Sequence, residues 1–99
     1  LKRYDEALAD FNRALELSPN DADALNGRGT ALFNGKRMYR DALSDFEKAL
    51  EIDPNKAETW LNRSRCYLML GDKAKARESA EKAQLTGFPV KQDYWDLLK

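Results

Sequence analysis

The chain of 99 residues repeats itself with a period of 35 residues, and this repeat restricts its folding more than any other feature. One recurring set consists of small residues, an aromatic residue and a proline: Ala7, Phe11, Ala14 and Pro19, then Ala42, Phe46, Ala49 and Pro54. A shorter copy follows after 34 residues and reads Ala76, Ala80 and Ala83. A second set is interleaved with the first: Leu25, Gly29 and Leu32, then Trp60, Ser64 and Tyr67. Two interleaved sets with one period indicate stacked units, each packed on its neighbours.

The apolar residues inside each unit have the spacing of helices. Tyr4, Ala7, Leu8 and Phe11 follow the i, i+3, i+4, i+7 pattern that places side chains on one stripe of a helix. Small residues opposite large ones allow two such helices to approach closely. We therefore predict an all-α fold without strands, with helices near residues 2–17, 22–34, 38–51, 56–70, 73–85 and 91–98.

Turn-forming residues separate the predicted helices. A Pro-Asn pair stands between the first and second helices and again between the third and fourth. We predict that Asn20 and Asn55 cap the following helices, because a short polar side chain there accepts a hydrogen bond from the first turn. The pairs Asn34-Gly35 and Gly71-Asp72 are predicted to end the first helix of each pair.

The composition argues against several functional classes. Lys and Arg together number 17, as do Asp and Glu, so the chain has no net charge with which to attract nucleic acid or an anionic membrane. It contains no His, which is the commonest general base and a frequent metal ligand, and its carboxylates do not form a catalytic pair. We therefore expect no enzymatic activity, no metal and no cofactor.

The single cysteine and the hydropathy limit the chain further. Cys66 has no His to activate it and lies on a helical stripe, so we expect a buried and unreactive thiol. One cysteine cannot form an internal disulfide, and no stretch approaches the ~18 consecutive apolar residues of a membrane-spanning helix. The compartment is left unknown, with the cytoplasm favoured, and no membrane partner is expected.

The period and its residues resemble those of the tetratricopeptide-repeat (TPR) family over roughly residues 3–86. The matching residues are Trp60, Tyr67, Gly71, Ala76 and Ala83 in the last unit, Leu25, Gly29, Leu32, Ala42, Phe46, Ala49 and Pro54 in the middle unit, and Tyr4, Ala7, Phe11, Ala14 and Pro19 in the first. The resemblance implies a right-handed superhelical array of antiparallel helix pairs, whose first helices line a concave groove. Members usually bind a peptide or partner protein there, so it also implies a non-catalytic interaction module.

On this resemblance the chain is one domain of four parts. Residues 2–21 would be the second helix of a truncated repeat, 22–56 and 57–89 two repeats, and 90–99 a capping helix over the last pair. The first unit lacks its opening helix and the chain begins without Met, so we expect it to be a piece of a longer protein.

Two departures from the family pattern concern packing. The middle unit has one extra residue between Asn34 and Met38, where a single Gly is usual, and Ala80 stands where the earlier units have Phe. In the capping helix we expect that one of Tyr94 and Trp95 packs on the last pair and that the other remains exposed as a contact.

The resemblance places one set of side chains from the first helices in the groove: Asp23, Asn26, Thr30, Phe33, Asn34, Glu58, Leu61, Asn62, Arg65, Leu68 and Met69. Four of them are apolar on a face that water would otherwise cover: Phe33, Leu61, Leu68 and Met69. An apolar strip with a polar rim suits an extended peptide or a partner helix. The alternative is that the capping helix or a second copy of the chain covers the strip.

Some relatives bind the C-terminal carboxylate of a partner with two Lys, an Arg and two Asn in the groove. The corresponding residues here are Asn26, Thr30, Asn62, Gln92 and Asp96, of which only Asn62 fits. Without cations a carboxylate would be poorly paired. We therefore expect no such clamp in these residues, while preceding repeats of a longer protein could carry one.

Arg28 and Arg63 occupy equivalent positions beside the buried stripe, and Asp10 and Asp45 are equivalent to each other. A partly buried guanidinium needs a carboxylate or carbonyl groups to offset its desolvation. We therefore predict two ion pairs between adjacent units, Arg28 with Asp10 and Arg63 with Asp45. The alternative is that these arginines bind an anionic ligand.

The apolar stripe of the first helix supports a second functional hypothesis. Tyr4, Leu8, Phe11 and Leu15 are suited to pack on an opening helix that this chain lacks, so part of the stripe is expected to face water. Covering it would stabilise an assembly through the apolar area that is buried. The alternative to a groove that binds a partner is therefore a structural element that self-associates through this stripe and forms a homo-oligomer.

Overall fold

The computed structural model describes residues 2–99 and contains six helices. They are α1 (Lys2–Leu17), α2 (Ala22–Lys36), α3 (Tyr39–Ile52), α4 (Ala57–Met69), α5 (Lys73–Leu85) and α6 (Gln92–Leu97). No strand occurs within residues 2–99, and consecutive helices from α1 to α5 pack against each other. The predicted all-α repeat array is confirmed, and the helix ends agree with the predicted ones to within two residues.

The core consists of three clusters of buried side chains that join successive helices. The first joins α1, α2 and α3 and contains Leu15, Ala22, Ala24, Leu25 and Ala49. The second joins α3 and α4 and contains Ala42, Phe46 and Cys66. The third joins α5 to the end of α6 and contains Ala76, Ala80 and Leu98. The buried apolar surface that drives folding therefore lies between successive helices along the whole array.

Phe46 is the largest fully buried side chain of the described residues. Its ring lies directly on Gly29 of α2, where a Cβ atom would be only 2.6 Å from the ring atom Cε1. Gly29 is therefore required by the close approach of α2 and α3 and not by a turn, because interiors packed this tightly leave no room for another carbon.

The last repeat fills the equivalent space with a helix from outside the repeat. Ser64 and Ala80, both fully buried, stand where the middle repeat has glycine and phenylalanine. Ser64 donates a hydrogen bond to the Ala76 carbonyl at 2.6 Å, so the Tyr94 hydroxyl of α6 donates to Ser64 Oγ at 2.7 Å. This bond fixes α6 to α4.

Both aromatic residues of α6 pack on the last helix pair. Tyr94 and Trp95 are each half-buried against the cluster of Ala76, Ala80 and Leu98. The prediction that one of them would remain exposed is therefore wrong. Adjacent helical residues point about 100° apart, and the surface that two alanines form on α5 is flat enough for both rings to contact it.

The extra residue of the middle repeat lengthens α2. The helix continues through Gly35 to Lys36, and the chain reverses at Arg37, whose φ is 53°. This left-handed conformation costs a residue with a side chain about 1–2 kcal/mol. Gly35, which was predicted to end the helix, instead lies inside it against the ring of Tyr4, where a Cβ atom would overlap the ring. In the last repeat, Gly71 adopts the left-handed turn with φ of 86°, as predicted.

The N-terminal caps differ from the prediction by one residue. Asp21, and not Asn20, caps α2, because its carboxylate accepts a hydrogen bond from a backbone N–H of the first turn at 3.1 Å. The residue before α4 is Lys56, which makes no side-chain cap, while Asn55 donates its backbone N–H to the Asp53 carboxylate at 3.1 Å. Both asparagines belong to the turn after the proline, and one more residue is needed before each helix begins.

Arg28 forms an ion pair within its own repeat. Its guanidinium donates two hydrogen bonds to Asp45, at 2.7 and 2.8 Å, and a third to the Asn12 side chain at 3.0 Å. The hydrogen-bonded carboxylate of Asp45 raises the pKa of Arg28 above its ordinary value. The predicted pair with Asp10 is wrong, because the α1 side chain that reaches Arg28 is Asn12, and Asp10 is exposed.

Arg63, at the position equivalent to Arg28, also contacts its own and the preceding repeat, but through other chemical groups. It donates a hydrogen bond to the Ser79 hydroxyl of its own repeat at 2.8 Å and lies 3.7 Å from the Glu47 carboxylate of the preceding repeat. The predicted pair with Asp45 is wrong, because Asp45 faces α2 and is already bonded to Arg28. Both arginines are therefore partnered inside the protein, which removes the reason to regard them as a site for anions.

Candidate functional site

The first helices of the middle and last repeats, α2 and α4, contact each other and form one face of the molecule, which we call the α2–α4 face. Asn26 joins them, because its side-chain oxygen accepts hydrogen bonds from Thr59 Oγ1 and Asn62 Nδ2, both at 3.0 Å. Thr59 and Asn62 are buried. This network fixes the relative positions of the two helices. Because Asn62 donates one amide hydrogen to Asn26, that hydrogen is not free to bind a ligand.

A small notch lies between α2 and α4, and we call it the Phe33 notch. Its lining residues are Thr30, Phe33, Asn34, Phe46, Asn62 and Arg65. Its volume is about 30 Å³, which is room for one water molecule or a methyl group. Phe33 packs edge-to-face on Tyr39 of α3, with the ring centroids 5.0 Å apart, and this contact holds the Phe33 ring in place. Asn34 is exposed at the rim and presents an amide to solvent.

A larger depression shares Arg65 with the notch, and we call it the Val90 depression. Its lining residues are Leu61, Arg65, Phe88, Pro89, Val90, Lys91 and Tyr94, and its volume is about 260 Å³. Leu61 is buried and Val90 packs on the last core cluster, so the floor is apolar. Arg65 and Lys91 are exposed and give the depression a cationic rim.

The connection between α5 and α6 builds one wall of the Val90 depression. After α5 the chain turns at Gly87, whose φ is 118°, and the Phe88 N–H donates to the Ala83 carbonyl at 2.9 Å. This is the hydrogen bond with which a left-handed glycine closes a helix. The turn places Pro89 and Val90 beside α4.

Sequence reasoning missed this wall. Phe88, Pro89, Val90 and Lys91 were not among the predicted groove residues, because they follow the last repeat and not a first helix. A signal was present, since the repeat pattern stops at Gly87 and an apolar run replaces the Asp-Pro-Asn turn. Nothing in the sequence, however, indicated towards which helix that run would fold.

Arg65 is one of the two cations at the rim of the Val90 depression. Within the part of the chain that the structure describes, it takes part in no ion pair. Burial raises the pKa of the nearby Tyr94 phenol, and the charge of Arg65 opposes part of this effect. Lys56, by contrast, is paired with Asp23 at 2.6 Å, and this hydrogen bond raises the pKa of Lys56. Arg65, like Lys91, is thus a cation that no carboxylate of residues 2–99 pairs with.

The structure brings most of the predicted groove residues to the α2–α4 face. Five of them line the Phe33 notch: Thr30, Phe33, Asn34, Asn62 and Arg65. Leu61 and Arg65 line the Val90 depression, and Asn26 supports the face from within. Asp23 and Glu58 lie in the first turns of α2 and α4, and line neither cavity. The roles of these residues in binding stay predictions.

The predicted apolar strip is smaller than expected. Leu61 is buried, so the expectation that it faces water is wrong, and Leu68 packs on the cluster that contains Leu98. Met69 alone of the four is largely exposed, at 52%, and it lines neither cavity. The capping segment therefore covers part of the strip, as the alternative interpretation expected for the capping helix.

The stripe of α1 packs on α2 over much of its length. Leu15 is buried, and Tyr4, Leu8 and Phe11 are half-buried. The ring of Phe11 lies on Gly27, where a Cβ atom would be 2.5 Å from the ring. Less apolar surface is thus left for contact with a second copy than the sequence suggested, and self-association stays a prediction.

The remaining chemical groups are structural. Cys66 is fully buried, as predicted, and burial raises the pKa of its thiol to about 12. A thiolate is therefore nearly absent at neutral pH, and it is the thiolate that reacts. In residues 2–99 no group of three His, Cys, Asp or Glu side chains could hold a metal ion. None of the helices in this same range is both long and apolar enough to cross a membrane.

Two family models match the sequence. The model described as TPR repeat matches residues 1–35, and the model described as Tetratricopeptide repeat matches residues 35–99. The two matches meet at Gly35, near the end of α2, and the second contains α3 to α6 with Arg65 and the Val90 depression. No curated protein matches the chain.

Proposed function

This chain belongs to the tetratricopeptide-repeat family, and from that premise we propose that it binds a segment of a partner protein on the α2–α4 face, as the concave groove of such arrays does. Tetratricopeptide repeats are generally protein–protein interaction modules and are typically non-catalytic. The observation that carries the proposal is the Val90 depression, an apolar cavity with an arginine at its rim that forms no ion pair within residues 2–99.

The α2–α4 face has the properties of a rigid binding surface. The hydrogen bonds of Asn26 with Thr59 and Asn62 hold α2 against α4, and the bond of Tyr94 to Ser64 holds α6 against α4. A surface that is already ordered loses little conformational entropy when it binds. An apolar groove that receives side chains of a bound segment is one of the recurring modes of peptide recognition.

The proposal can be tested by nuclear magnetic resonance on the isotope-labelled chain. Peptides selected from a random phage-displayed library against the immobilised chain would be titrated into it, and the shifted backbone amides would be mapped. We expect the largest shifts at Phe33, Asn34, Arg65 and Val90. A library that yields no binder, or shifts confined to α1, α3 and α5, would contradict the proposal.

A pair of charge reversals supplies the matched control. Arg65→Glu changes the α2–α4 face, whereas Arg40→Glu changes an exposed arginine of α3 that lines neither cavity. We expect the first variant to lose binding of the selected peptides and the second to keep it, with equal thermal stability for both. Equal binding by the two variants would place the site elsewhere.

Self-association through Tyr4, Leu8, Phe11 and Leu15 is the alternative function. Its support is that Leu8 is only half-buried and lines an open depression between α1 and α3. Light scattering across concentrations decides between the two proposals. A mass of 11.3 kDa at every concentration would exclude the alternative, whereas a dimer that Leu8→Asp dissociates and Arg65→Glu leaves intact would establish it.

A further inference from the structure

We propose that the α2–α4 face selects segments in which an internal Asp or Glu side chain lies next to an apolar side chain. Arg65 binds the carboxylate, and the Val90 depression receives the apolar group. This inference rests on the proposed function and adds the chemistry of the partner to it.

The charge of Arg65 carries the first part of the inference. Arg28 is bonded to Asp45 and Asn12, and Arg63 is bonded to Ser79 near Glu47, so the folded chain supplies partners for both. Arg65 is exposed and has no carboxylate partner among the described residues. A guanidinium in this state binds a carboxylate through two parallel hydrogen bonds, which gives both affinity and a defined orientation.

The apolar floor next to Arg65 carries the second part. Leu61, Val90 and Tyr94 line one cavity with Arg65, together with Pro89 from the connection. Its volume of about 260 Å³ lies just below the ~300–1,000 Å³ of pockets that enclose small-molecule ligands. One apolar side chain of a bound segment fits such an open cavity better than a free small molecule, which would stay largely exposed to water.

The position of Arg65 favours a carboxylate within the segment over a carboxylate at its end. Arg65 lines both the Val90 depression and the Phe33 notch, so a chain that fills the depression and reaches Arg65 continues over the notch. There the exposed amide of Asn34 can donate to or accept from a passing backbone. A segment that ended at Arg65 would leave this amide unused.

The acidic residues of the face limit how many charges the segment carries. Glu58 lies seven residues before Arg65 on α4, which is about 10 Å along the helix. Its carboxylate would repel a second acidic group that followed the helix in that direction. A single acid beside an apolar residue is therefore favoured over an acidic run.

The test uses a library of random decapeptides that are acetylated at the N-terminus and amidated at the C-terminus, so that side chains supply the only carboxylates. Bound peptides would be sequenced, and the affinities of individual peptides measured by fluorescence anisotropy. We expect enrichment of one Asp or Glu adjacent to Leu, Ile, Val or Phe. Replacement of that acid by its amide should weaken binding at least ~10-fold, and the binding should weaken as salt is raised.

Variants of Arg65 connect the selected acid to this residue. Arg65→Gln should remove the preference for the acidic peptide over its amide analogue, Arg65→Lys should keep part of it, and the control Arg40→Gln should keep all of it. Arg65→Glu should bind a peptide whose acid is replaced by Lys. If Arg65→Gln retains the full preference, the inference is overturned.

The remaining outcomes separate this inference from the proposed function. Peptides that shift the amides of the α2–α4 face but show no acidic preference would overturn the inference and leave the proposed function standing. A second library with free C-terminal carboxylates covers the remaining case: if only these peptides bind, and the amidated ones do not, the inference is overturned and the proposed function stands. If no peptide binds, or if binding maps to another face, both proposals fail.

Discussion

The middle and last repeats solve the same packing problem with different residues. In the middle repeat, Phe46 of α3 fills the space against Gly29 of α2. In the last repeat, α5 contributes only Ala80, and the hydroxyl of Tyr94 from α6 reaches Ser64 at 2.7 Å. The middle repeat is thus completed by its own aromatic side chain, and the last repeat is completed by a helix that follows it.

The partly buried arginines Arg28 and Arg63 also differ between the repeats. Arg28 takes its carboxylate from its own repeat, through Asp45, and an amide from the preceding unit, through Asn12. Arg63 takes a hydroxyl from its own repeat and its carboxylate from the preceding one, through Glu47. In both repeats the arginine has polar partners and the space beside the first helix is filled. The groups that do this come from the same repeat in one case and from a neighbouring segment in the other.

The largest effect is expected from Phe46→Ala, which truncates the largest fully buried side chain of the described residues. Truncation of a fully buried phenylalanine costs about 3–5 kcal/mol of the free energy of unfolding, through lost apolar contact and a residual cavity. Urea denaturation followed by circular dichroism measures it. Phe88→Ala, at an exposed aromatic residue of the capping connection, serves as the control and should cost less than ~1 kcal/mol. Similar losses of stability for the two variants would contradict the conclusion that Phe46 is a core residue and that Phe88 is not.

The next effect tests the two arginine sites. Asp45→Asn removes the charge from a carboxylate whose side chain is 9% exposed and which accepts two hydrogen bonds from Arg28, so a loss of about 1.5–3 kcal/mol is expected. Glu47→Gln removes the charge of a 47% exposed carboxylate at 3.7 Å from Arg63, where less than ~0.5 kcal/mol is expected. Both values come from chemical denaturation at low salt. A larger loss for Glu47→Gln would reverse the assignment of the stronger pair.

A smaller effect is expected at the capping helix. Tyr94→Phe removes the hydroxyl that donates to Ser64, while Ser64 keeps its own bond to the Ala76 carbonyl. About 1 kcal/mol should be lost, and native-state hydrogen exchange should show it as easier opening of α6 with little change in α2 and α3. Tyr39→Phe is the control in the middle repeat, because Tyr39 contacts Phe33 through its ring. Equal protection of α6 in the two variants would show that the hydroxyl bond contributes nothing.

Effects of about 1 kcal/mol or less are expected at the turns after the two first helices, α2 and α4. Arg37→Gly relieves the left-handed conformation at φ of 53°, and the relief exceeds the entropy cost of glycine in the unfolded chain, so a gain of about 0.5 kcal/mol is expected. Gly71→Ala introduces strain at φ of 86° without any steric overlap and should lower stability by about 1 kcal/mol. Thermal unfolding of the two variants should therefore shift in opposite directions. A shift in the same direction would mean that the left-handed backbone conformation does not determine the stability effect of substitutions at residues 37 and 71.

Much of the helical architecture could be predicted because its signals are local. The spacing of Tyr4, Leu8 and Phe11 identifies a helix and its buried stripe without knowledge of any neighbour. The errors have a local origin as well. The extra residue between Asn34 and Met38 moves the end of α2, and Asn20 belongs to the turn after the proline and not to the start of the helix. A repeat pattern specifies which residues are equivalent, but it does not specify the length of each turn.

The partners of the arginines could not be predicted in this way. Asp10 and Asp45 are equivalent in sequence, yet Asp45 binds an arginine 17 residues earlier, and the position 17 residues before Asp10 lies outside this sequence. Which side of a helix meets which neighbour depends on how the helices cross. The same reason explains why Leu68, predicted to face the groove, packs under the capping segment.

The sequence by itself determined the repeat, the all-α class, the stripes of each helix and the burial of Cys66, because each depends on residue type and on spacing along one helix. Only the tertiary structure decided where the candidate site lies. The wall of the Val90 depression comes from a connection that has no place in the repeat, and it meets Arg65 only because the turn at Gly87 folds that connection back onto α4. Contacts between residues far apart in the sequence depend on the direction in which the chain leaves a turn. The spacing of apolar residues along one helix carries no information about that direction.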